Sequence, residues 1–290
     1  MQGLIIINKS RGWTSHDAVA KLRGILHERR VGHAGTLDPM AEGVLPVMIG
    51  RATRASDFCS GWDKEYIATV RLGVTTDTYD ITGTVINESP VNISKNDFIS
   101  ACDRFVGEIN QLPPMYSAIQ IDGKRLYDLA RAGKTVERET RRIHIYSITQ
   151  EGNDGNDYRI RVACSKGTYI RSLAYDIGQT LGCGATLSGL IRTKTGPFLL
   201  ENAHTIDEIK SDPTGCILPT DSLFAEFPRI ELSGKAEKLI RCGGDISSAD
   251  FDIDDGRCRL YGENGEFLAI AVKDGETIHT EKSFFEVSHD

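Results

Sequence analysis

Gly32-His33-Ala34-Gly35-Thr36-Leu37-Asp38-Pro39, running on through Met40-Ala41-Glu42-Gly43-Val44-Leu45-Pro46, sets one carboxylate among glycines, prolines and small residues. Glycine permits positive φ and close approach of a ligand to the backbone, while Pro39 fixes its own φ and biases Asp38 toward extended geometry. The stretch reads as a shaped loop presenting one acid, with His33 five residues upstream. The same residues suit a surface turn capped by an aspartate, because Asp-Pro pairs mark ordinary turns. The loop alone does not choose between the two.

Working outward, the apolar run Leu4 to Ile7 reads as a buried strand leading into Asn8-Lys9-Ser10-Arg11-Gly12-Trp13-Thr14-Ser15. Thr14 or Ser15 then caps a helix expected to reach about Arg29, with Val19, Leu22 and Leu26 on one face and Asp17 in its first turn. In Lys64-Glu65-Tyr66-Ile67-Ala68-Thr69-Val70-Arg71-Leu72-Gly73 the alternation predicts a half-buried strand through Tyr66, Ala68, Val70 and Leu72. Arg159 and Arg161 alternate with Tyr158, Ile160 and Val162 in the same way. The strand ends in Cys164-Ser165-Lys166-Gly167-Thr168-Tyr169-Ile170-Arg171-Ser172-Leu173, where Ile170, Leu173 and Ile177 take up helical spacing. Arg171 therefore stands near a strand-to-helix junction. Further helices are expected near 95–106 and 122–132. Strands and helices interleave without regular βα alternation, so the class is α+β: a mixed, largely antiparallel sheet flanked by helices.

Four of these segments, in this order and spacing, resemble the bacterial tRNA pseudouridine-55 synthase family, over about Leu4 to about Pro197. They are the Lys9 motif, the Asp38 loop, the Tyr66 strand followed by Thr76-Asp77-Thr78-Tyr79-Asp80, and the Arg171 motif. The resemblance implies a pseudouridine synthase-like catalytic domain over residues 1–224 and a small β-rich, PUA-like domain over 225–290. It implies isomerisation of uridine 55 in the T-loop of tRNA, by base flipping and nucleophilic catalysis. On this pattern Asp38 is the nucleophile and Arg171 its electrostatic partner. Tyr66 stacks on the uracil and assists late proton removal from C5, and His33 fills the space left by the flipped nucleotide. Tyr169 and Leu190 line the uracil pocket. Read on their own, Tyr66 and Leu190 are packing residues and His33 a surface residue. Whether Asp38 attacks C6 or C1′, or the route passes through a glycal, stays open. Lys9 and Asp80 are read as shaping the site, Asp80 either pairing with a cation or standing as a solvated turn residue. One departure is Ser10, where the family usually has proline after the lysine.

The 290 residues, 40% hydrophobic, suffice for one large and one small core. The net charge of −7 is unevenly spread: residues 1–220 hold 26 Lys and Arg against 25 Asp and Glu, and residues 221–290 hold 8 against 16. Lys124, Arg125, Arg131, Lys134, Arg138, Arg141 and Arg142 form a basic run able to track phosphates. Asp122, Asp128, Glu137 and Glu139 interleave with it, as on a solvated helix face. In the acidic tail, a helix from Ser233 to Arg241 and strands Arg257–Tyr261 and Phe267–Val272 flank the turn residues Gly262-Glu263-Asn264-Gly265, a hairpin signal.

No run of about 18 apolar residues predicts a membrane span, and no signal peptide is read at the N-terminus. Seven cysteines without a C-x-x-C pair indicate neither a disulfide framework nor a zinc site, so a reducing cytoplasm is the simplest compartment. Asp250, Asp252 and Asp254 open like an EF-hand, but Asp255 and Tyr261 occupy its glycine and glutamate positions. Gly133-Lys134-Thr135 lacks the first P-loop glycine, and Gly182-Cys183-Gly184 lacks the third glycine of a dinucleotide fingerprint. No cofactor and no metal are expected. The expected partner is the T-arm of tRNA, with no guide RNA, membrane or obligate protein partner.

Overall fold

The computed structural model describes residues 1–117, 119–121, 123–134 and 136–285, with backbone alone at 121, 124 and 125. Asp122 and the side chains of Lys124 and Arg125 from the basic run lie outside the described residues.

The α+β class is borne out. A nine-stranded sheet runs in the order Gly3–Lys9, Glu42–Ile49, Ala185–Thr195, Lys64–Leu72, Asp157–Cys164, Arg141–Asp154 and Gly107–Gln111. Val31–His33 and Phe198–Leu199 add to it as short side strands. Its ladders are antiparallel except where Ile191 and Arg192 pair with Glu42 and Gly43 in parallel. That parallel pairing brings the C-terminal end of the Ala185–Thr195 strand beside the Asp38 loop.

The sheet is buried on both faces where the apolar runs lie. Side chains alternate across a strand. From Gly3–Lys9, Ile5 and Ile7 therefore enter one core with Leu22, Leu173 and Ile177, whereas Leu4 and Ile6 enter another with Phe224, Ile270 and Phe284. Two buried faces explain why this strand reads as continuous apolar sequence. The Tyr66 strand is half-buried as its alternation predicts. Ion pairs tie it to the neighbouring strand: Arg161 of that strand meets Glu65 at 2.7 Å and Glu151 at 2.6 Å, and Arg71 of the Tyr66 strand meets Asp157 at 2.7 Å.

The first helix is Ser15–Leu26 and stops short of Arg29. Thr14 caps it, its side chain and that of Asp17 each accepting from the other's backbone N–H. After Leu26 the sequence His27-Glu28-Arg29-Arg30 offers nothing apolar to bury, and His27 turns left-handed at φ 51°. The helix expected near 95–106 ends at Asp103, and the one expected near 122–132 spans only Leu126–Arg131.

Residues 229–283 contribute a second, five-stranded sheet in the order Arg229–Glu231, Gly256–Tyr261, Phe267–Asp274, Thr277–Ser283 and Ile246–Ser247. The expected hairpin across Gly262–Gly265 is present. Beside the sheet lies the helix Gly234–Arg241. Phe224 packs against Phe58, Phe227, Phe267 and Phe284, so one aromatic cluster joins the two sheets.

Candidate active site

The loop from Gly35 to Gly43 is pinned from several elements at once. Ser15, at the start of the first helix, donates from Oγ to Leu37 O at 3.1 Å and accepts from Leu37 N at 2.8 Å. Gly12 N donates to Pro39 O at 2.7 Å, and Ala41 N donates to Asp38 O at 3.0 Å. Lys9, fully buried, donates from Nζ to Ser10 O at 3.0 Å and Trp13 O at 2.6 Å. Those bonds close the first motif on itself although Ser10 supplies no proline restraint. Burial lowers Lys9 to about 8. The Asp38 loop is thus a fixed platform, not a free surface turn.

Asp38 stands on it partly open to solvent. Arg171, in the first turn of the helix Ile170–Leu181, forms an ion pair through Nε with Asp38 Oδ2 at 2.9 Å. Its remaining donors are also engaged: Nη1 meets Thr78 O at 3.2 Å and Nη2 meets Tyr116 O at 2.8 Å. Asp80 Oδ2 lies 3.7 Å from Nη1. Asp80 itself is buried and accepts at Oδ1 from Thr78, from Thr82 N at 2.9 Å and from the Thr82 hydroxyl. Of the two readings of Asp80, the cation partner is the one observed.

Arg171 is held there by its neighbour in sequence. The Gln111 amide accepts from Tyr169 N at 2.8 Å and donates to Tyr169 O at 3.0 Å, anchoring the strand-to-helix junction to the edge strand. Tyr169 is half-buried; the charges of Asp38 and Arg171 both act on its hydroxyl, and burial raises it above the ordinary phenol range. A partly exposed carboxylate, Asp38, and a buried one, Asp80, thus share one buried guanidinium at this site.

Comparison with known proteins bears directly on it. Residues 23–170 match the model of the TruB family pseudouridylate synthase N-terminal domain, and residues 171–225 match that of the tRNA pseudouridylate synthase B C-terminal domain. The chain belongs to the TruB family of pseudouridylate synthases. It is 43% identical to the tRNA pseudouridine synthase B of Aromatoleum aromaticum, over 95% of this chain and 90% of that one. It is 42% identical to the protein of the same name from Clostridium kluyveri, over 94% of this chain and 96% of that one. Among solved structures it superposes on a chain of an H/ACA ribonucleoprotein bound to a substrate RNA containing 2′-deoxyuridine. That match has a TM-score of 0.73 at 26% identity and covers 98% of this chain and 85% of the other. Family membership makes the chain a tRNA pseudouridine synthase, an isomerase.

In this TruB-family enzyme the remaining expected residues occupy different settings. Tyr66 and Leu190 share one face of adjoining strands, since Tyr66 pairs with Arg192 and Ala68 with Leu190 in the ladder. Tyr66 is buried, which raises its hydroxyl; the Arg192 charge opposes that rise. Leu190 belongs to the main core cluster as well as to this face. His33 stands off the centre, its ring edge-on to His16 at 5.5 Å. Burial, the strongest cause, lowers it to about 4, so its imidazole is neutral at pH 7.

Arg192 is the site residue that the sequence did not disclose. In Leu190-Ile191-Arg192-Thr193 it resembles any outward strand arginine, yet it points inward and is buried. The signal was indirect: Gly35 and Gly43, at φ 82° and 101°, close on it from the Asp38 loop.

Proposed function

We propose that this enzyme isomerises uridine 55 in the T-loop of tRNA to pseudouridine, with Asp38 as the nucleophile. The observation that carries the reading is the Arg171–Asp38 contact, in which a buried cation holds a carboxylate that is still open to a ligand. The reaction breaks the C1′–N1 bond, turns the uracil and joins C5 to C1′; the proton leaving C5 is matched by one gained at N1. No redox change or external energy source enters. A carboxylate can carry such a change through a covalent intermediate.

The target uridine leaves its stack first, at a cost of about a few kcal/mol. Stacking on Tyr66 offsets part of this, at about 1–3 kcal/mol for a base on an aromatic ring. Neutral His33 takes the space of the flipped nucleotide, and Tyr169 and Leu190 close the pocket. Tyr66 then receives the C5 proton. Recognition of a splayed loop suits RNA, whose bases are read best where unstacked. The T-arm alone is therefore a substrate, the enzyme works in the cytoplasm, and no guide RNA or protein partner is required. Residues 1–224 carry the chemistry, and 225–290 form the small appended domain.

The test uses unmodified tRNA tritiated at uridine C5, incubated with wild type and Asp38→Asn without added metal or nucleotide. Tritium release by wild type alone, with pseudouridine mapped to position 55 in tRNA and in an isolated T-arm hairpin, supports the reading. Tight tRNA binding without release by wild type would leave an RNA-binding chaperone instead.

A further inference from the structure

Arg192 is only 1% exposed, and the chemistry above gives it no task. A guanidinium buried this deeply persists only where its donors are met. Nε donates to Val44 O at 2.7 Å and Nη2 donates to Gly35 O at 3.0 Å. These two carbonyls bracket the loop that carries Asp38. Arg192 stands directly opposite Tyr66 in the ladder, and its charge acts on the Tyr66 hydroxyl. The loop is shaped around the arginine. A Cβ on Gly43 would stand 2.3 Å from Arg192 O, and one on Gly35 would stand 3.4 Å from Arg192 Nη1. One side chain thus spans both ends of the nucleophile loop and the phenol.

We propose that Arg192 is a positioning residue for proton removal: it fixes the Tyr66 oxygen relative to Asp38 and stabilises that oxygen as the acceptor of the C5 proton. The inference rests on the role given to Tyr66 above. Once C5 has joined C1′, it bears both the sugar and its hydrogen. The C5–H bond breaks, its electron pair forms C5=C6, and the former C6=N1 pair moves onto N1, which takes up a proton from solvent. The Tyr66 phenolate becomes phenol and later returns its proton to solvent. Burial disfavours the phenolate, and the adjacent guanidinium charge acts against that penalty.

The experiment compares Arg192→Gln and Arg192→Lys in the full chain under single turnover, on tRNA with hydrogen or deuterium at uridine C5. Tyr66→Phe serves as the reference. The expected result is tRNA affinity within about twofold of wild type and a chemical step slowed about 10²-fold in Arg192→Gln. The hydrogen/deuterium rate ratio rises above that of wild type, because proton removal has become limiting. Arg192→Lys keeps the charge and recovers part of both; its melting temperature shows whether the fold is intact, and it decides the matter if Arg192→Gln does not fold. A merely structural arginine would slow the reaction and leave the isotope ratio at its wild-type value. If Tyr66→Phe raises the ratio and the Arg192 variants do not, the positioning role is wrong and the Tyr66 reading stands. If Tyr66→Phe leaves the ratio unchanged, the Tyr66 reading is wrong and the inference falls with it.

Discussion

Arg171 is closed off from solvent while the carboxylate it grips stays open: the two side chains are 6% and 37% exposed across a 2.9 Å contact between Nε and Asp38 Oδ2. The Thr78 and Tyr116 carbonyls fix the plane of the guanidinium and so aim Nε at Asp38. A lysine would keep the charge and lose this fork. Arg171→Lys is therefore expected to slow the chemical step about 10²-fold while changing tRNA affinity little, as misplacement of a reacting group does. Asp80→Asn, acting from 3.7 Å on the far side of the cation, should cost less. Single-turnover tritium release with a parallel filter-binding measurement checks both, and full activity in Arg171→Lys would show that charge alone suffices.

Gly43 is held at φ 101°, and a Cβ there would stand 2.3 Å from the carbonyl oxygen of Arg192. Neither partner is a flexible side-chain end, so the strain falls on the backbone of two strands. Gly43→Ala is expected to destabilise the chain by about 2 kcal/mol or more. Gly155 makes the control: its φ is 55°, but open space surrounds the added carbon. Gly155→Ala should cost only the left-handed penalty of about 1–2 kcal/mol. Urea denaturation of both variants measures the difference, and equal losses would contradict the close approach at Gly43.

Local pattern made the strands legible. The alternation around Tyr66 and the continuous apolar run at Leu4–Ile7 follow from one and two buried faces respectively, and both are present as read. The site was legible only through motif resemblance, because Asp38 and Arg171 come from distant segments that no periodicity connects. Arg192 escaped for a related reason. Whether a strand arginine faces water or a loop depends on its partner strands, and here on two glycines far away in sequence. The helix boundary failed differently: the helix was expected to reach about Arg29, although no apolar residue after Leu26 remained to hold it.

Phe224 is 1% exposed and contacts Phe58 of the short helix Ser56–Cys59 at 5.2 Å and Phe284, just past the last strand of the small sheet, at 5.8 Å between centroids. Leu4 and Ile6 of the large sheet and Ile270 of the small one share its cluster. Phe224→Ala should therefore remove about 3–5 kcal/mol, the usual range for a large ring deleted from a packed core. Because the cluster belongs to both sheets, unfolding should remain a single transition shifted downward. Calorimetry that resolves an early transition of the C-terminal sheet in wild type would refute the shared core.

Asp176, on the Arg171 helix, is half-buried without an ion pair or hydrogen bond to its carboxylate among the described residues, and burial raises it to about 6 from an ordinary 3.8. Between those values the folded chain holds a proton that the unfolded chain has lost. Stability from this group therefore falls as pH rises through that window, and the penalty is complete above about 6. Asp176→Asn removes the penalty. The variant should melt higher than wild type at pH 8, and the gain should shrink steadily to nothing by about pH 4. His33, lowered to about 4, has the opposite slope from 6.5 downward, so wild-type melting alone would mix the two. The difference between variant and wild type isolates Asp176, since His33 is common to both. A gain that stays constant from pH 8 to pH 4 would mean that the amide repacks the helix and that the carboxylate is not the source of the cost.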